Sequence, residues 1–382
     1  MLLLRRTSLI ALSLGVFTFV LFIQQLGLNP FGAGAYYGQK GPLYNPSVFS
    51  PGVAKPAGEN YSRILVMGRL GSEDISWVAR ELPDLQTKIY NVDDVPRKSN
   101  GTSPGSSGLP ANKGHEAMAY LTYIIDHYSS LPDVVLFFHP HHNAWHNNIL
   151  LDIDSAKTIK LMSSAHVTRQ GYFNSRCHLD PGCPDWLHVD RPKWRWDLIH
   201  KPEEPKLTSQ LFHDLHGTDT PIPAAISQPC CAQFAVSRDR IIQRPRDFYV
   251  RYRDWILSTE LDDKDSGRLL EYSWQYIFTG NFEFCPIMHR CYCDGYGICF
   301  EGDAGVDRWL DVLRQREKVD RKRVDLWDKG RKGSEKYKQL DAQSHQLTEK
   351  MDWMREQALR RGADPKIRAM ECGREWKEGD GY

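Results

Sequence analysis

The sequence comprises 382 residues with a formal net charge of +1, and 41% of its residues are hydrophobic. This composition is typical of a globular protein, and the length suffices for one large domain or two smaller ones. The even charge balance argues against a nucleic-acid-binding protein, so no nucleic-acid partner is expected.

The N-terminus predicts a membrane anchor. Arg5 and Arg6 precede an uncharged, mostly apolar segment from Thr7 to Ile23, which is close to the length that spans a bilayer, and the basic flank should stay cytosolic. A cleaved signal peptide is the alternative, but the small-residue site at 33–35 lies well beyond the apolar segment. We therefore expect residues 1–28 to form a cytosolic stub and a signal-anchor helix. The protein would be a single-pass type II membrane protein facing the ER or Golgi lumen.

A stem is predicted between the anchor and the folded part. Residues 29–60 are rich in Pro, Gly, Ala, Tyr and Ser without a hydrophobic period, which is typical of a flexible linker. Two N-glycosylation sequons begin at Asn60 and Asn100, both in segments expected to be exposed. Such triplets also arise by chance. Glycosylation of both asparagines is nevertheless the expectation for a lumenal chain.

The folded part, residues 61–300, opens with alternating strands and helices. A short strand from Ile64 to Met67 is followed by a polar turn and by a helix through Trp77 and Val78. A second strand is predicted from Lys88 to Val92. A loop then leads to the next helix.

That helix and the strand after it have the clearest pattern in the chain. Apolar residues recur at helical spacing from Ala117 to Tyr128, and Asn112 stands where an N-cap is expected. Pro132 ends the helix, because the residue before a proline is pushed out of the α region. The apolar run from Val134 to Phe138 predicts a strand buried on both faces. The alternation predicts an α/β fold with a mostly parallel sheet and flanking helices, related to the Rossmann arrangement.

Polar side chains follow the ends of the predicted strands. Right-handed crossovers place the carboxyl ends of parallel strands at one edge of the sheet, where ligands bind. Asp93 and Asp94 follow the end of the second strand. A structural role in a turn or a helix cap is as good an interpretation for them as a role in ligand binding. The residues expected along this rim are Arg69, Glu73, Asp93, Asp94 and His139 to His142.

Four histidines, His139, His141, His142 and His146, cluster just after the third strand. Imidazole is a common metal ligand, so His139 and His141 are candidates for binding manganese or zinc. Alternatively, the rings form hydrogen bonds within the loop, bind a polar ligand without a metal, or act as a general acid or base. The spacing lacks the specificity of established metal motifs, so these alternatives stay open.

The next segment is less regular. Asp152-Ile153-Asp154 resembles an acidic metal dyad, but Asp154 and Ser155 also suit the cap of a helix that runs towards Met162. A strand is predicted from His166 to Asn174.

Helical patterns dominate the second half of the chain. A strand is predicted from Gln228 to Ser237, and its last residue caps a helical segment that is interrupted by a proline. The helix resumes through 248–256, and another is predicted from Gly267 to Phe278. Residues 301–382 are dense in charged side chains, which favours solvated helices in a partly ordered tail.

The nine cysteines predict disulfides. An oxidising lumen favours bridges over a zinc site, although four thiolates within 285–299 could bind zinc. These four are expected to bond with one another, and Cys291–Cys293 is the least expected pair. Cys177 and Cys183 flank a Pro-Gly turn that a bridge between them could close. The odd number leaves a thiol unpaired, and isolated Cys372 is the simplest candidate. The cysteines expected in disulfides are Cys177, Cys183, Cys285, Cys291, Cys293 and Cys299.

A set of short motifs runs in order through the folded part. They are Asn112-Lys113-Gly114 with Glu116-Ala117, Leu131-Pro132-Asp133, His139-x-His141 with Trp145-His146, Gly182-Cys183-Pro184, Phe234-Ala235-Val236-Ser237 and Cys291-Tyr292-Cys293-Asp294. Together they resemble the fungal domain-of-unknown-function 3431 family over roughly Ile64 to Phe300. The resemblance implies a fungal membrane-anchored protein, but no established activity.

A second resemblance exists at the level of the fold. The chain has a first strand followed by a polar Glu-Asp turn, a second strand ending in Asp93-Asp94, and a late helix with Arg268-Leu269-Leu270-Glu271. This order is similar to that of GT-A nucleotide-sugar glycosyltransferases. Their usual Asp-x-Asp motif after the central strand is absent, and His139-Pro140-His141 stands in its place. The analogy is one of fold and does not by itself imply catalysis.

These observations lead to the hypothesis of a membrane-bound glycosyltransferase-like enzyme with a nucleotide-sugar donor and a glycan acceptor. Asp93 or Asp94, with Arg69, would hold the nucleotide or its ribose. His139 and His141, with or without a divalent metal, would offset charge on the diphosphate leaving group. The candidate catalytic residues are Asp93 and Glu116, with Glu116 as general base. The candidate substrate-binding residues are Arg69, Asp94, His142, His146, and Asn112 and Lys113, which could bind phosphate at a helix N-terminus.

Two other classes of function fit the sequence. A lumenal glycan-binding protein without catalysis would use Trp186, Trp194, Trp196 and the histidine loop, because exposed aromatic rings can stack on sugars. Buried loop anchors are, however, the commoner role of Trp. A metal-dependent hydrolase would instead use the histidine cluster.

Overall fold

The computed structural model describes residues 49–94, 108–192 and 195–381 of the chain. Within these residues, no helix combines the length and the apolar character needed to cross a membrane. The predicted anchor, most of the predicted stem, the Asn100 sequon and Trp194 lie outside the described residues. Asn60 lies within them and is exposed.

A five-stranded sheet forms the centre of the fold. Its strands are β1 (Arg63–Arg69), β2 (Gln86–Asn91), β3 (Val134–Phe137), β4 (Tyr172–Asn174) and β5 (Phe234–Ser237). Their order is β2-β1-β3-β5-β4. β1 pairs in parallel with β2 and β3, whereas β5 is antiparallel to both of its neighbours. The prediction of an α/β fold with a mostly parallel sheet is thus confirmed, and the antiparallel β5 is the departure from it.

Helices cover both faces of this sheet. The first six are α1 (Ser76–Glu81), α2 (Glu116–Asp126), α3 (Ser155–Leu161), α4 (Ser164–Gln170), α5 (Ser209–His216) and α6 (Arg238–Ile242). They are followed by α7 (Arg246–Ser258), α8 (Asp263–Glu271), α9 (Trp274–Thr279), α10 (Met288–Tyr296), α11 (Asp303–Asp328), α12 (Glu335–Gly362) and α13 (Pro365–Glu371).

The sheet separates two apolar cores. Alternate residues of a strand point to opposite faces, so Val135 and Phe137 of β3 join one core with α2, α7, α8 and α9. Val134 and Leu136 join the other, with α1, α3, α10 and α11. β3 is therefore buried along its whole length, as its uninterrupted apolar sequence predicts.

Helix α2 begins later than predicted. Asn112 is not its cap, because His115 occupies the N-cap position. The chain turns sharply just before the helix, with φ angles of 79° at Gly114 and 50° at His115. A Cβ atom at Gly114 would lie 2.7 Å from the Ile256 side chain of α7. The close packing of α2 against α7 therefore requires glycine at this position.

Two predicted helix caps are confirmed. The Asp154 carboxylate accepts a hydrogen bond from the Lys157 amide (2.9 Å) at the start of α3. Ser237 caps α6 in the same way, and its hydroxyl accepts from the Arg240 amide (3.2 Å). Both caps satisfy backbone donors that have no partner within the helix.

Three predicted elements were wrong in part. The segment 166–174 was predicted as a strand, but most of it belongs to helix α4, which Ser163 caps. The helix ends at Gly171, which has a φ of 78°, and only Tyr172–Asn174 is extended. The predicted strand 228–237 is shortened to β5, because Cys231 and Ala232 have φ angles of 90° and 46°. The predicted helix 267–278 is divided between α8 and α9.

The last eighty residues, for which a partly ordered tail was expected, form an antiparallel pair, α11 and α12, followed by α13. The Trp309 indole donates to the Met351 carbonyl (3.1 Å), and Arg323 lies 2.6 Å from the Asp341 carboxylate near the other end of the pair. Trp309 and Met351 are buried in the second core. The apolar side of this charged segment is therefore continuous with the sheet domain.

A buried carboxylate joins the C-terminal segment to this core. Asp294 of α10 lies 2.8 Å from the His166 ring, 3.1 Å from Arg169 and 2.5 Å from Arg374. Burial alone would raise the pKa of Asp294, but His166 and the arginines hold it well below its usual value. The carboxylate is thus ionised, and it ties α4, α10 and the segment after α13 together.

All six cysteines expected in disulfides form one, but the expected pairing was wrong except for Cys293–Cys299. Only Cys293–Cys299 joins two members of the segment 285–299. Packing of α10 beside the end of β4 brings the Cα atom of Cys291 within 5.5 Å of that of Cys177. Cys372 is unpaired, as expected, and buried. The bridges are Cys177–Cys291, Cys183–Cys285, Cys230–Cys231 and Cys293–Cys299.

Removal of the long-range Cys183–Cys285 bridge should cost more stability than removal of Cys293–Cys299. The two pairs are separated by 102 and 6 residues, respectively. Loop entropy then gives about 4 to 5 kcal/mol for the first bridge and about 2 kcal/mol for the second. Urea unfolding of the two double-alanine variants measures the difference, and equal losses would contradict it. Peptide mapping without reduction checks the pairing.

Replacement of Asp294 by Asn should lower the free energy of unfolding by at least about 3 kcal/mol, because a buried group of cations loses its counter-charge. Glu356→Gln is the matched control, since Glu356 pairs with Arg360 at 2.5 Å on the exposed face of α12. An exposed pair of this kind contributes at most about 1 kcal/mol. Chemical unfolding of both variants gives the comparison, and similar losses would show that the Asp294 cluster is not a stabilising centre.

Candidate functional site

The strand order identifies the place where a ligand would bind. From β1 the chain crosses to β2 on one side and later to β3 on the other side, so the order reverses between β1 and β3. Ligands of open α/β sheets bind at the carboxyl ends of the strands that flank such a reversal. Here those ends carry Arg69 and, just past β3, His139. Because β5 is antiparallel, the loop before it reaches the same edge.

Arg69 organises the β1 side of this edge. Its Nε donates to the Asn91 side chain at the end of β2 (2.7 Å), and one terminal nitrogen donates to the Glu73 carbonyl (3.1 Å). The Glu73 carboxylate in turn accepts from the Leu70 amide (2.7 Å). Arg69 therefore holds the polar turn after β1 against the end of β2.

Asp93 and Asp94 lie beside this turn and are exposed. They belong to a short 3-10 helix, and Asp93 accepts from the Gly71 amide (2.6 Å). The Asn91 side chain donates to Asp94 (3.2 Å). Both aspartates thus have a structural role in the turn, and each also presents carboxylate oxygen at the surface.

His139 and His146 form the centre of the histidine loop, with ring centroids 5.1 Å apart. The His139 ring Nε2 lies 2.6 Å from the Cys231 carbonyl, and its amide donates to the Gln233 side chain (3.1 Å). Burial, with further contributions from His139 and His141, lowers the pKa of His146 to about 3. His146 is therefore neutral, and its buried Nε2 has no hydrogen-bond partner in the described residues.

His141 and His142 point to different neighbours. The ring of His141 is exposed and lies 3.6 Å from the Glu73 carboxylate, which connects the loop to the turn after β1. The ring of His142 stacks on Trp77 at 5.2 Å and faces a separate pair of carboxylates. Of the four histidines, His139, His141 and His146 are thus grouped by ring contacts at the rim.

The amino end of α2, where phosphate binding was predicted, already has protein partners. The Lys113 ammonium donates to the Thr259 carbonyl. The Asp263 carboxylate accepts from the His115 amide (3.0 Å) and lies 3.2 Å from the His115 ring. Asn112 is exposed. An anion at this helix end would therefore have to displace Asp263.

Glu271, at the end of α8, is a candidate that the sequence analysis missed. Its carboxylate accepts from the Cys231 amide (2.6 Å). Burial raises the pKa of Glu271 to about 8, and the negative charge of Glu116 adds to the shift. Near neutral pH, Glu271 is thus mainly protonated. In the sequence, Glu271 stood out only as the end of the Arg268-Leu269-Leu270-Glu271 motif, and its spacing gave no signal for its contact with Cys231.

Cys231 connects Glu271 to the histidines. Its carbonyl faces His139, while its amide donates to Glu271. The adjacent disulfide to Cys230 contacts the Arg176 guanidinium, which also lies 5.4 Å from the Trp145 ring centroid. Trp145 is 66% exposed. A series of polar contacts therefore connects Arg69, through the turn after β1 and the histidine loop, to Glu271, and one exposed indole borders it.

These features define a mixed α/β protein with a polar site at the switch point of its sheet. The chain belongs to the family described as "Protein of unknown function (DUF3431)", whose model matches residues 65–294, more than half of the sequence. The resemblance drawn from the motifs is thereby confirmed. The match includes the whole rim and Asp294, whereas the α11–α12 pair lies beyond it. No curated protein and no solved structure matches the chain.

The raised pKa of Glu271 predicts a stability change with pH. The usual pKa of a glutamate is 4.5, and that of Glu271 in the folded protein is about 8. At a pH between these two values, the folded protein holds a proton that the unfolded chain has lost. The free energy of unfolding should therefore fall as pH rises through this range. Glu271→Gln, which keeps an acceptor for the Cys231 amide, should reduce that fall.

Urea unfolding of wild type and Glu271→Gln from pH 5 to pH 8.5 measures the effect, with Glu356→Gln as control. Parallel pH profiles for wild type and Glu271→Gln would contradict the assignment of a protonated carboxyl to this position.

Proposed function

We propose that the protein is a glycosyltransferase-like enzyme of the secretory pathway that binds a nucleotide-sugar donor at the carboxyl edge of β1 and β3. The proposal rests on four features that lie together at the switch point of the sheet: exposed carboxylates, an arginine, clustered imidazoles and the Glu271 carboxyl with its raised pKa. The position suits a nucleotide, and the side chains suit group transfer.

The donor would lie across the turn after β1. Asp93 and Asp94 are exposed there, and carboxylate oxygens accept hydrogen bonds from ribose hydroxyls. Arg69 stands behind them and offers a cation towards the diphosphate. Because Arg69 is held by Asn91 and Glu73, little side-chain freedom would be lost on binding.

The histidine loop would stabilise the departing diphosphate. His139 is fixed by its contact with the Cys231 carbonyl, and His141 is exposed beside it. An N–H of the exposed His141 ring, aimed at the developing anion, would lower the barrier. A divalent ion, manganese or zinc, held by His139 and His141 is a further proposal. His139 would then use Nδ1 as ligand, because its Nε2 proton points to the carbonyl.

Glu116 would accept the proton of the acceptor hydroxyl. The acceptor hydroxyl oxygen forms a bond to the anomeric carbon while the bond to the diphosphate breaks, and the hydroxyl proton passes to the ionised carboxylate. Glu116 is the better base, because Glu271 retains its proton up to a pKa of about 8. Glu271, while protonated, would add no negative charge near the reacting groups.

The location in the secretory pathway is supported by the disulfides. Four bridges among the described cysteines fit an oxidising compartment, and Asn60 is exposed for glycosylation. Membrane attachment through the N-terminal apolar segment belongs to the same proposal.

A glycan-binding role without catalysis is the second candidate. It is favoured by Trp145 and Trp196, which are 66% and 69% exposed, because an exposed indole can stack on a sugar ring. Trp145 borders the rim, so the same surface would hold the glycan. Binding of glycans without binding of any nucleotide sugar would select this role.

Calorimetry of the full-length protein against a panel of nucleotide sugars, with and without manganese, tests the proposal. We expect one donor to bind, and Asp93→Asn to weaken its affinity about tenfold, or about 1.4 kcal/mol. Asn can still accept from the Gly71 amide, so the turn is preserved. Glu116→Gln should leave donor affinity intact and reduce turnover by about 100-fold or more.

Glu356→Gln on α12 is the control and should behave as wild type. Absence of binding to every donor in the panel would overturn the nucleotide-sugar proposal. Full turnover of the Glu116→Gln variant would remove Glu116 as the base while leaving donor binding in place.

A further inference from the structure

Three side chains from different elements meet on the far side of the histidine loop. They are Glu81 at the end of α1, His142 in the loop after β3, and Asp154 at the cap of α3. The His142 Nε2 atom lies 3.3 Å from a Glu81 carboxylate oxygen and 3.4 Å from an Asp154 carboxylate oxygen. The three atoms all lie within 4.8 Å of one another.

The His142 nitrogen is buried, yet it makes no hydrogen bond within the described residues. Its two distances exceed the usual range of N–H···O hydrogen bonds, about 2.7 to 3.2 Å. They match instead the separation of two ligands that share one tetrahedral ion. With metal–ligand bonds of about 2.0 to 2.1 Å, ligand atoms lie about 3.3 to 3.4 Å apart.

The ligands are oriented by neighbouring groups. The His142 ring stacks on Trp77 with an interplanar angle of 12°, and the Trp77 indole donates to the Pro140 carbonyl (2.8 Å). Asp154 is fixed by its cap to the Lys157 amide (2.9 Å). Such supporting contacts are usual around metal ligands, because they hold each donor atom in position before the ion binds.

The charge and the ligand types suit a divalent cation. Two carboxylates and a neutral imidazole provide two negative charges and a mixed oxygen and nitrogen set, which zinc accepts. The side chains of His142, Glu81 and Asp154 are 28%, 25% and 24% exposed. A water molecule can therefore reach a fourth coordination position. Arg80 donates to the same Glu81 oxygen (2.9 Å) and, at 60% exposure, can move away.

We propose that Glu81, His142 and Asp154 bind a divalent cation, with zinc preferred, and that water completes its coordination. The site is distinct from His139 and His141 at the rim. Its ligands join α1, the histidine loop and α3, so the ion would fix the loop that carries the rim imidazoles. The proposal does not depend on a glycosyltransferase activity.

The test uses full-length protein that has been stripped with a chelator and then dialysed against zinc. Elemental analysis should give one zinc per chain, and calorimetry should give its affinity. His142→Ala and Asp154→Asn should each weaken that affinity by at least about tenfold. Asp154→Asn keeps an oxygen for the Lys157 amide, so α3 remains capped.

His345→Ala is the matched control, because His345 is a 71% exposed histidine on α12. Zinc should raise the melting temperature of wild type and of His345→Ala, but not that of His142→Ala. If His142→Ala fails to fold, Glu81→Gln and Asp154→Asn decide the matter.

Unchanged zinc content in both Asp154→Asn and Glu81→Gln would overturn the proposal, as would a stripped wild type that takes up no zinc. Loss of zinc in His139→Ala or His141→Ala, with His142→Ala still binding normally, would place the ion at the rim and overturn it as well.

Discussion

The structure depends on one buried carboxylate. Asp294 is surrounded by His166, Arg169 and Arg374, and a charge in this position is tolerated only because several partners compensate for its lost hydration. The cluster holds α10 against α4 and against the end of the chain. Since Cys291 of α10 is bonded to Cys177, just after β4, the same cluster also fixes the edge of the sheet next to the rim.

The rim is organised by the backbone around Cys231. Cys231 and Ala232 have positive φ angles. They orient the backbone so that the Cys231 carbonyl faces His139 and the Cys231 amide donates to Glu271. An extended strand could not serve both groups, because its amide and carbonyl would be taken by the sheet. The departure from regular structure thus brings imidazoles and carboxyls together, a common feature of functional sites.

The histidine loop has two different faces. His139, His141 and His146 line the proposed donor site, whereas His142 turns towards α1 and α3 and contributes to the proposed cation site. Adjacent residues in a loop point in different directions, so one short segment can serve both. A cation on one face would restrict the motion of the other face, which connects the two proposals physically without making either depend on the other.

The sequence by itself determined the features that rest on local patterns. The apolar run of β3, the helical spacing of α2 and the caps at Asp154 and Ser237 follow from propensity and periodicity, and the structure has them. Only the tertiary structure decided which cysteines pair, that Glu271 meets the Cys231 amide, and that Glu81 approaches His142. These contacts join residues far apart in the chain, and no local spacing encodes them. They arise because the sheet order and the packing of α8 and α10 fix which surfaces meet.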